Sequence, residues 1–217
     1  RPQSQPIDSS GSATSDIQSD EESSTVHKPD NPARIYQTAC PALLSGLIEG
    51  KMLPPLREGA CGLQSPLLVQ AVNVNGRKVG FTSPVTTNCQ MAATLANWVA
   101  QISDYTQAIY NEPVTALTTG TSYMCRTRNN QPGADQSEHG FANAVDVVGF
   151  VIGEDRRIGL PDNWSDDTSE GRTMRFAHGA ACGQFTTVLG PEANPLHRDH
   201  LHVDLGCHGK KCTYRLC

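Results

Sequence analysis

The chain has 217 residues, a formal net charge of −5 and seven histidines. It has no basic block longer than Lys210-Lys211, so nucleic acid is not an expected partner, and no run approaches the ~18 apolar residues that span a bilayer. Eight cysteines, spread from Cys40 to Cys217, point to a disulfide framework in an oxidising compartment, and they allow on the order of a hundred pairings among which spacing does not choose.

Arg1 to Arg34 is rich in Ser, Asp, Glu, Gln and Pro. Such a segment buries too little apolar surface to offset its ordering entropy, so a disordered linker over 1–34 is expected, followed by one domain over 35–217. No signal peptide is visible, as expected of a mature exported chain. Cys40 to Gly50 carries leucines at helical spacing and reads as a short helix. Pro54-Pro55 breaks the chain. Leu67–Val74 suits a strand, Asn75-Gly76 a hairpin turn, and Lys78–Phe81 the returning strand. From Asn88 to Tyr110 the residues Met91, Leu95, Trp98, Val99, Ile102, Tyr105 and Ile109 follow the spacing of a buried helix face, with Thr87 or Asn88 as cap. Asn111-Glu112-Pro113 ends it. Val114 to Cys125 is β-branched and aromatic, a strand with an irregularity at Gly120. Arg126 to Gln136 is a loop, and Ala144–Ile152 a buried strand. A long loop then leads to a helix over Met174–Leu189 and a strand over His200–Leu205. Without a βαβ rhythm, the expected class is α+β with a largely antiparallel sheet.

Two segments carry the chemistry. His197-Arg198-Asp199-His200-Leu201-His202 packs three histidines into six residues, and Ser137-Glu138-His139 precedes Asp146 by a short interval. On a strand, His200 and His202 share a face, because side chains alternate with period two. His139 sits just before the Asp146 strand, on a loop or turn that can fold back. A His/Asp/His set leaves the fourth position of a zinc ion open to water, the mark of a catalytic site. Bound zinc would acidify that water and polarise a carbonyl. His200, His197 and Asp199 are candidates to take the proton, His200 foremost because a neutral imidazole titrates near the working pH. Arg126 is a candidate oxyanion partner or a grip for a substrate carboxylate. Asp204 is a candidate partner orienting a ligand histidine. His178 and His208 show no partnering pattern.

The pattern Ser137-x-His139-x6-Asp146 followed by His200-x-His202 resembles the signature of the LAS metallopeptidases, which unite lysostaphin-type enzymes, D-Ala-D-Ala metallopeptidases and hedgehog-like domains. Ser137, His139, Ala144 and Asp146 match the D-Ala-D-Ala branch, and Ala142 stands where that branch usually has Gly. More broadly, Cys40 to about Leu205 resembles the extensin-like C-terminal domain family of bacteria. The matching stretches are Gly59-Ala60-Cys61-Gly62, Ser122-Tyr123-Met124-Cys125-Arg126, Ser137-Glu138-His139, Asn143-Ala144-Val145-Asp146, Val188-Leu189-Gly190-Pro191 and His197 to His202. His197, His200 and His202 also reproduce the His-x-x-His-x-His segment of penicillin-insensitive murein endopeptidases. Asp199 falls where some D-Ala-D-Ala dipeptidases carry a Glu.

The resemblance implies Zn2+ held by His139, Asp146 and His202, with His200 beside the reacting water and His197 and Asp199 as further catalytic residues. It implies Arg126 and Ser137 on the substrate side, and a small sheet carrying the ligands, flanked by helices, as in the hedgehog and DD-peptidase domains. The expected function is a monomeric, periplasmic zinc peptidase cutting peptidoglycan stem peptides or crosslinks. An endopeptidase on D,D-type (or L,D-type) crosslinks is the first form and a carboxypeptidase the second. A non-catalytic wall-binding module is the expectation of another class.

Overall fold

The longest helix shows how the chain builds its core. In the computed structural model, which describes residues 35–165 and 167–217, α2 spans Cys89–Tyr110 and is capped by Asn88, whose side chain accepts from the Met91 N–H at 2.8 Å. The cap satisfies one of the donors left open at a helix start. Met91, Leu95, Trp98, Val99 and Ile102 are buried as their spacing predicts. Beyond Ile102 the buried stripe drifts to Ser103 and Thr106, leaving Tyr105 half-buried against Phe176 and Ile109 exposed. Asn111 ends the helix in the left-handed conformation.

The linker expected over 1–34 lies outside the described residues. Tyr36 to Cys217 forms one compact unit. Its main sheet uses β1 (Ile48–Met52), β4 (Leu67–Val74), β5 (Arg77–Thr87), β6 (Val114–Thr119), β7 (Ala144–Ile152), β10 (Leu201–Asp204) and β9 (Thr187–Leu189) in that order, with β8 (Arg156–Gly159) also paired to β7. A separate hairpin joins β2 (Leu56–Glu58) to β3 (Cys61–Leu63). All pairs are antiparallel except β5–β6, whose connection is α2. A parallel pair needs such a crossover, so one βαβ unit is embedded in the sheet where none was expected. The class is nonetheless α+β with a largely antiparallel sheet.

Several expected boundaries shift for tertiary reasons. The first helix, α1, is only Pro41–Leu44. The chain turns at Gly46 with φ +75°, and Ile48 to Gly50 instead covers the edge of β4. Strand β6 stops at Thr119 rather than Cys125, although Gly120 N–H still donates to the Asp146 carbonyl and the Asp146 N–H to the Thr121 carbonyl, both at 2.8 Å. Gly120 also lies close to the Asp146 side chain: an added Cβ would sit 3.2 Å from Asp146 Cβ. β8 forms inside the expected long loop. The last helix, α3, covers Ser169–Gln184, capped by Thr168, and Thr187–Leu189 leaves it to pair with β10.

Helices α2 and α3 lie against each other and against the sheet. Trp98 is fully buried between them and the sheet, edge-on to Phe150 and Phe185 at 5.6 and 5.7 Å, and its indole N–H donates to the Ala177 carbonyl at 2.8 Å. Four disulfides pair all eight cysteines: Cys40–Cys89, Cys61–Cys125, Cys182–Cys217 and Cys207–Cys212. The first two close long loops, and each removes loop entropy from the unfolded chain worth about 4 kcal/mol. No helix among the described residues is long and apolar enough to cross a membrane. Trp98→Ala is expected to cost about 3–5 kcal/mol, from lost burial and the residual cavity, read by chemical denaturation under oxidising conditions.

Candidate metal centre

Strands β7 and β10 alternate cleanly. Val145 and Val147, with Leu201 and Val203, enter the hydrophobic core. The residues between them, Asp146 on β7 and His202 and Asp204 on β10, take the opposite face. The antiparallel register sets His202 directly across from Asp146, and side chains on opposed residues are near neighbours. His139 comes from a 3-10 turn over Glu138–Phe141, just ahead of β7, and is fully buried. Ser137 caps this turn, its hydroxyl accepting from the His139 N–H. Gly140 in the same turn lies against the Cys61 sulfur, with no room for a side chain. The Cys61–Cys125 disulfide, joining β3 to the segment after β6, is thereby packed on the turn that carries His139.

Three atoms converge on one point. His139 Nε2 and His202 Nδ1 are 3.1 Å apart, and they lie 3.3 and 3.1 Å from Asp146 Oδ1. The outward nitrogens have acceptor partners: His139 Nδ1 donates to the Ser122 carbonyl at 2.6 Å, and His202 Nε2 to Asp204 Oδ2 at 3.0 Å. A carbonyl and a carboxylate only accept, so the protons of the neutral rings lie on those outward nitrogens. The inward nitrogens are then lone pairs, facing each other and a carboxylate oxygen in a buried site. Three acceptors without a donor require a cation, either a proton or a metal ion.

The spacing fits a tetrahedrally coordinated metal ion. For bonds of about 2.0–2.1 Å, a tetrahedral site sets its donor atoms about 3.3–3.4 Å apart. The outward hydrogen bonds are those that orient ligand histidines in metal sites. Without a metal, a proton fills the role. Burial disfavours charge on His202, but hydrogen bonds and charge from Asp146 and Asp204 outweigh it and raise its pKa to about 9. Burial likewise opposes ionised Asp146, yet His139 and His202 hold its carboxyl far below the usual range.

The remaining expected residues flank this centre. His200, one residue before β10, donates from Nδ1 to Asp199 Oδ1 at 2.8 Å and turns Nε2 to within 3.6 Å of Asp146 Oδ1. Asp199 is solvent-exposed and meets the centre only through His200. His197 is buried in a 3-10 turn over Pro195–His197. The Asn194 side-chain oxygen accepts from the Leu196 N–H, so the 2.8 Å contact with His197 must be donated by His197 Nδ1. Burial first, then the neighbouring His202 and His200, lower the His197 pKa to about 4. His197 is therefore neutral, with its Nε2 lone pair unshared by Asn194. Arg126 lies off the strands, as expected, in the segment after β6, and it lines one cleft with Arg128, Ser137, His197 and His202. Asp146, Asp199 and His200 line a shallow groove.

Sequence reasoning missed the Ser122 carbonyl, a backbone atom with no side-chain signature, and Asn194, whose only signal is its place ahead of Pro195. Asp204 was legible as the third member of the alternation His200, His202, Asp204. A second grouping of potential ligands, His178, Cys182 and Cys217, offers no thiolate because the two cysteines are joined in a disulfide.

The family model described as "Extensin-like protein C-terminus" matches residues 38–217. No curated protein and no solved structure is matched.

In metal-stripped protein the fold favours protonated His202. That stabilisation is complete below the ordinary imidazole pKa of about 6.5 and is lost as the pH rises through about 9. The denaturation midpoint of the stripped protein is expected to fall between pH 6.5 and 9, and this slope should flatten in His202→Gln. An equal slope in the variant would show that another group carries it.

Proposed function

The chain belongs to the extensin-like C-terminal family, and from its buried His/Asp/His centre we propose that it is a zinc-dependent peptidase acting on peptidoglycan peptides. The convergence of three potential ligand atoms, two imidazole nitrogens and a carboxylate oxygen, within 3.1–3.3 Å carries this reading. His139, Asp146 and His202 would hold the metal, with both imidazoles braced from behind by Ser122 and Asp204. A zinc ion bound there supplies Lewis acidity, lowering the pKa of a water and polarising an amide carbonyl.

The protein's own residues do the rest. His200 presents Nε2 towards the centre while Asp199 fixes its Nδ1–H, the arrangement of an imidazole oriented to accept a proton at Nε2 and pass it to the departing amine. Asp199 acts through His200 rather than as the base itself. His197, neutral at working pH, contributes an acceptor beside them. Arg126 offers a guanidinium to the scissile carbonyl or to a substrate carboxylate. Ser137 sets the turn that carries His139. The relation to LAS peptidases, including a hedgehog- or DD-peptidase-like arrangement, is part of this proposal and rests on Ser137-x-His139-x6-Asp146 and His200-x-His202.

Four disulfides suit an oxidising, exported location, and we place the protein's action in the periplasm. An endopeptidase on D,D-type crosslinks is the leading form. The presence of Arg128 beside Arg126 in the cleft favours a second form, a carboxypeptidase gripping a terminal carboxylate.

Purified protein is expected to carry about one zinc and to release muropeptides from sacculi, identified by mass spectrometry, in a chelator-sensitive way. Cleaved crosslinks identify the endopeptidase, shortened stems the carboxypeptidase, and wall binding without cleavage a non-catalytic module. His139→Ala and Asp146→Ala should lose metal and activity together. His200→Ala should keep zinc and turn over at least 100-fold more slowly, within the usual range for loss of a general base of about 10²–10⁴-fold. Wild-type turnover in His200→Ala would overturn its assignment.

A further inference from the structure

Of the three candidate ligands, only His139 lies off the sheet, so contacts other than strand pairing must hold its turn. Asn143, the residue just ahead of β7, uses its backbone N–H, its carbonyl and both ends of its side chain for this. Its N–H donates to the Glu138 carbonyl at 3.0 Å, and its Nδ2 donates to Glu138 Oε2 at 2.7 Å. Its carbonyl accepts from the Leu205 N–H, just past β10, at 3.2 Å. Its Oδ1 accepts from Asn88 Nδ2, in the cap of α2, at 2.8 Å.

Both amide orientations are fixed from the ends of this chain of bonds. Asn88 Oδ1 accepts from the Met91 N–H, so Nδ2 is the end that Asn88 turns to Asn143. A carboxylate only accepts, so Asn143 must present Nδ2 to Glu138 and Oδ1 to Asn88. Flipping the Asn143 amide would set two donors against each other at Asn88 and two acceptors at Glu138. The far side of the turn is held by the same helix start: Thr87 Oγ1 and the Asn88 N–H both donate to the Ala142 carbonyl, at 3.1 and 2.9 Å. His139 therefore lies between Glu138, gripped twice by Asn143, and Ala142, gripped by the residues that open α2. That end of α2 is itself anchored by buried Met91 and Ala92 and by the Cys40–Cys89 disulfide.

We propose that Asn143 is a positioning residue of the metal centre, which with Glu138 and Asn88 locks the His139 turn onto the start of α2 and the end of β10, and so sets His139 Nε2 against Asp146 and His202. This inference rests on the metal-binding reading above and adds residues to it. A ligand set works only if its members are held to within about 0.5 Å, and a turn outside the sheet has no ladder to do so. Groups that orient ligands change metal affinity by about 10–100-fold when removed.

The test is zinc affinity of the full, oxidised chain by competition with a chromophoric chelator. Asn143→Ala is expected to weaken zinc binding by about tenfold, and Glu138→Ala to weaken it in the same direction. Glu138→Gln keeps an acceptor for Asn143 Nδ2 and should return affinity to near the wild-type value, a rescue that loss of packing would not show. The double variant Asn143→Ala/Glu138→Ala should weaken binding by less than the product of the two single effects, because the pair acts as one unit. If Asn143→Ala fails to fold, the half-buried Glu138 and its two variants still decide. Wild-type affinity in Glu138→Ala and in any folded Asn143→Ala would overturn the proposal. Equal weakening in Glu138→Gln and Glu138→Ala would also overturn it, since the charge of Glu138 and not its bond to Asn143 would then matter. A wild-type protein that takes up no zinc would instead remove the metal reading on which it stands.

Discussion

The centre depends on the register between β7 and β10. Opposed across this one antiparallel pair are Asp146 and His202, and the same alternation that sends Val145, Val147, Leu201 and Val203 into the core sends the two polar residues out of it. A slip of β10 by one residue would put His202 and Asp204 among the helices and turn Leu201 and Val203 to the other face. The apolar core thus enforces the polar site, because burial of the valines and leucine is the term that selects the register.

The third donor comes from outside the sheet. His139 reaches the pair because its 3-10 turn is capped by Ser137, closed by Ala142 in the left-handed conformation and packed on the Cys61–Cys125 disulfide. Each inward lone pair exists because an outward acceptor holds the opposite proton. The site's demand for a cation is therefore created by its surroundings: a backbone carbonyl at Ser122 and a carboxylate at Asp204. The same logic orders the rim, where Asp199 and Asn194 each hold the Nδ1–H of one imidazole and leave its Nε2 free of them.

Much of this was legible in residues alone. Strands β4 and β7 have the bounds that their apolar runs suggest, and α2 starts where Asn88 offers a cap. His139, Asp146, His200 and His202 come together as their spacing indicated. Boundaries moved where a partner distant in the chain decided: Ile48–Gly50 joined β4, and Thr187–Leu189 left a helical pattern to pair with β10. Asn143 had no neighbouring pattern to tie it to Asn88, because the two lie 55 positions apart.

The sequence by itself determined which side chains can ligate and which faces of the strands they occupy, since both follow from residue chemistry and a period of two. Tertiary structure alone decided which nitrogen of each ring faces inward, how the cysteines pair, and that the start of α2 reaches the turn carrying His139. Those outcomes depend on hydrogen-bond partners and contacts brought together by folding, and no local pattern along the chain encodes them.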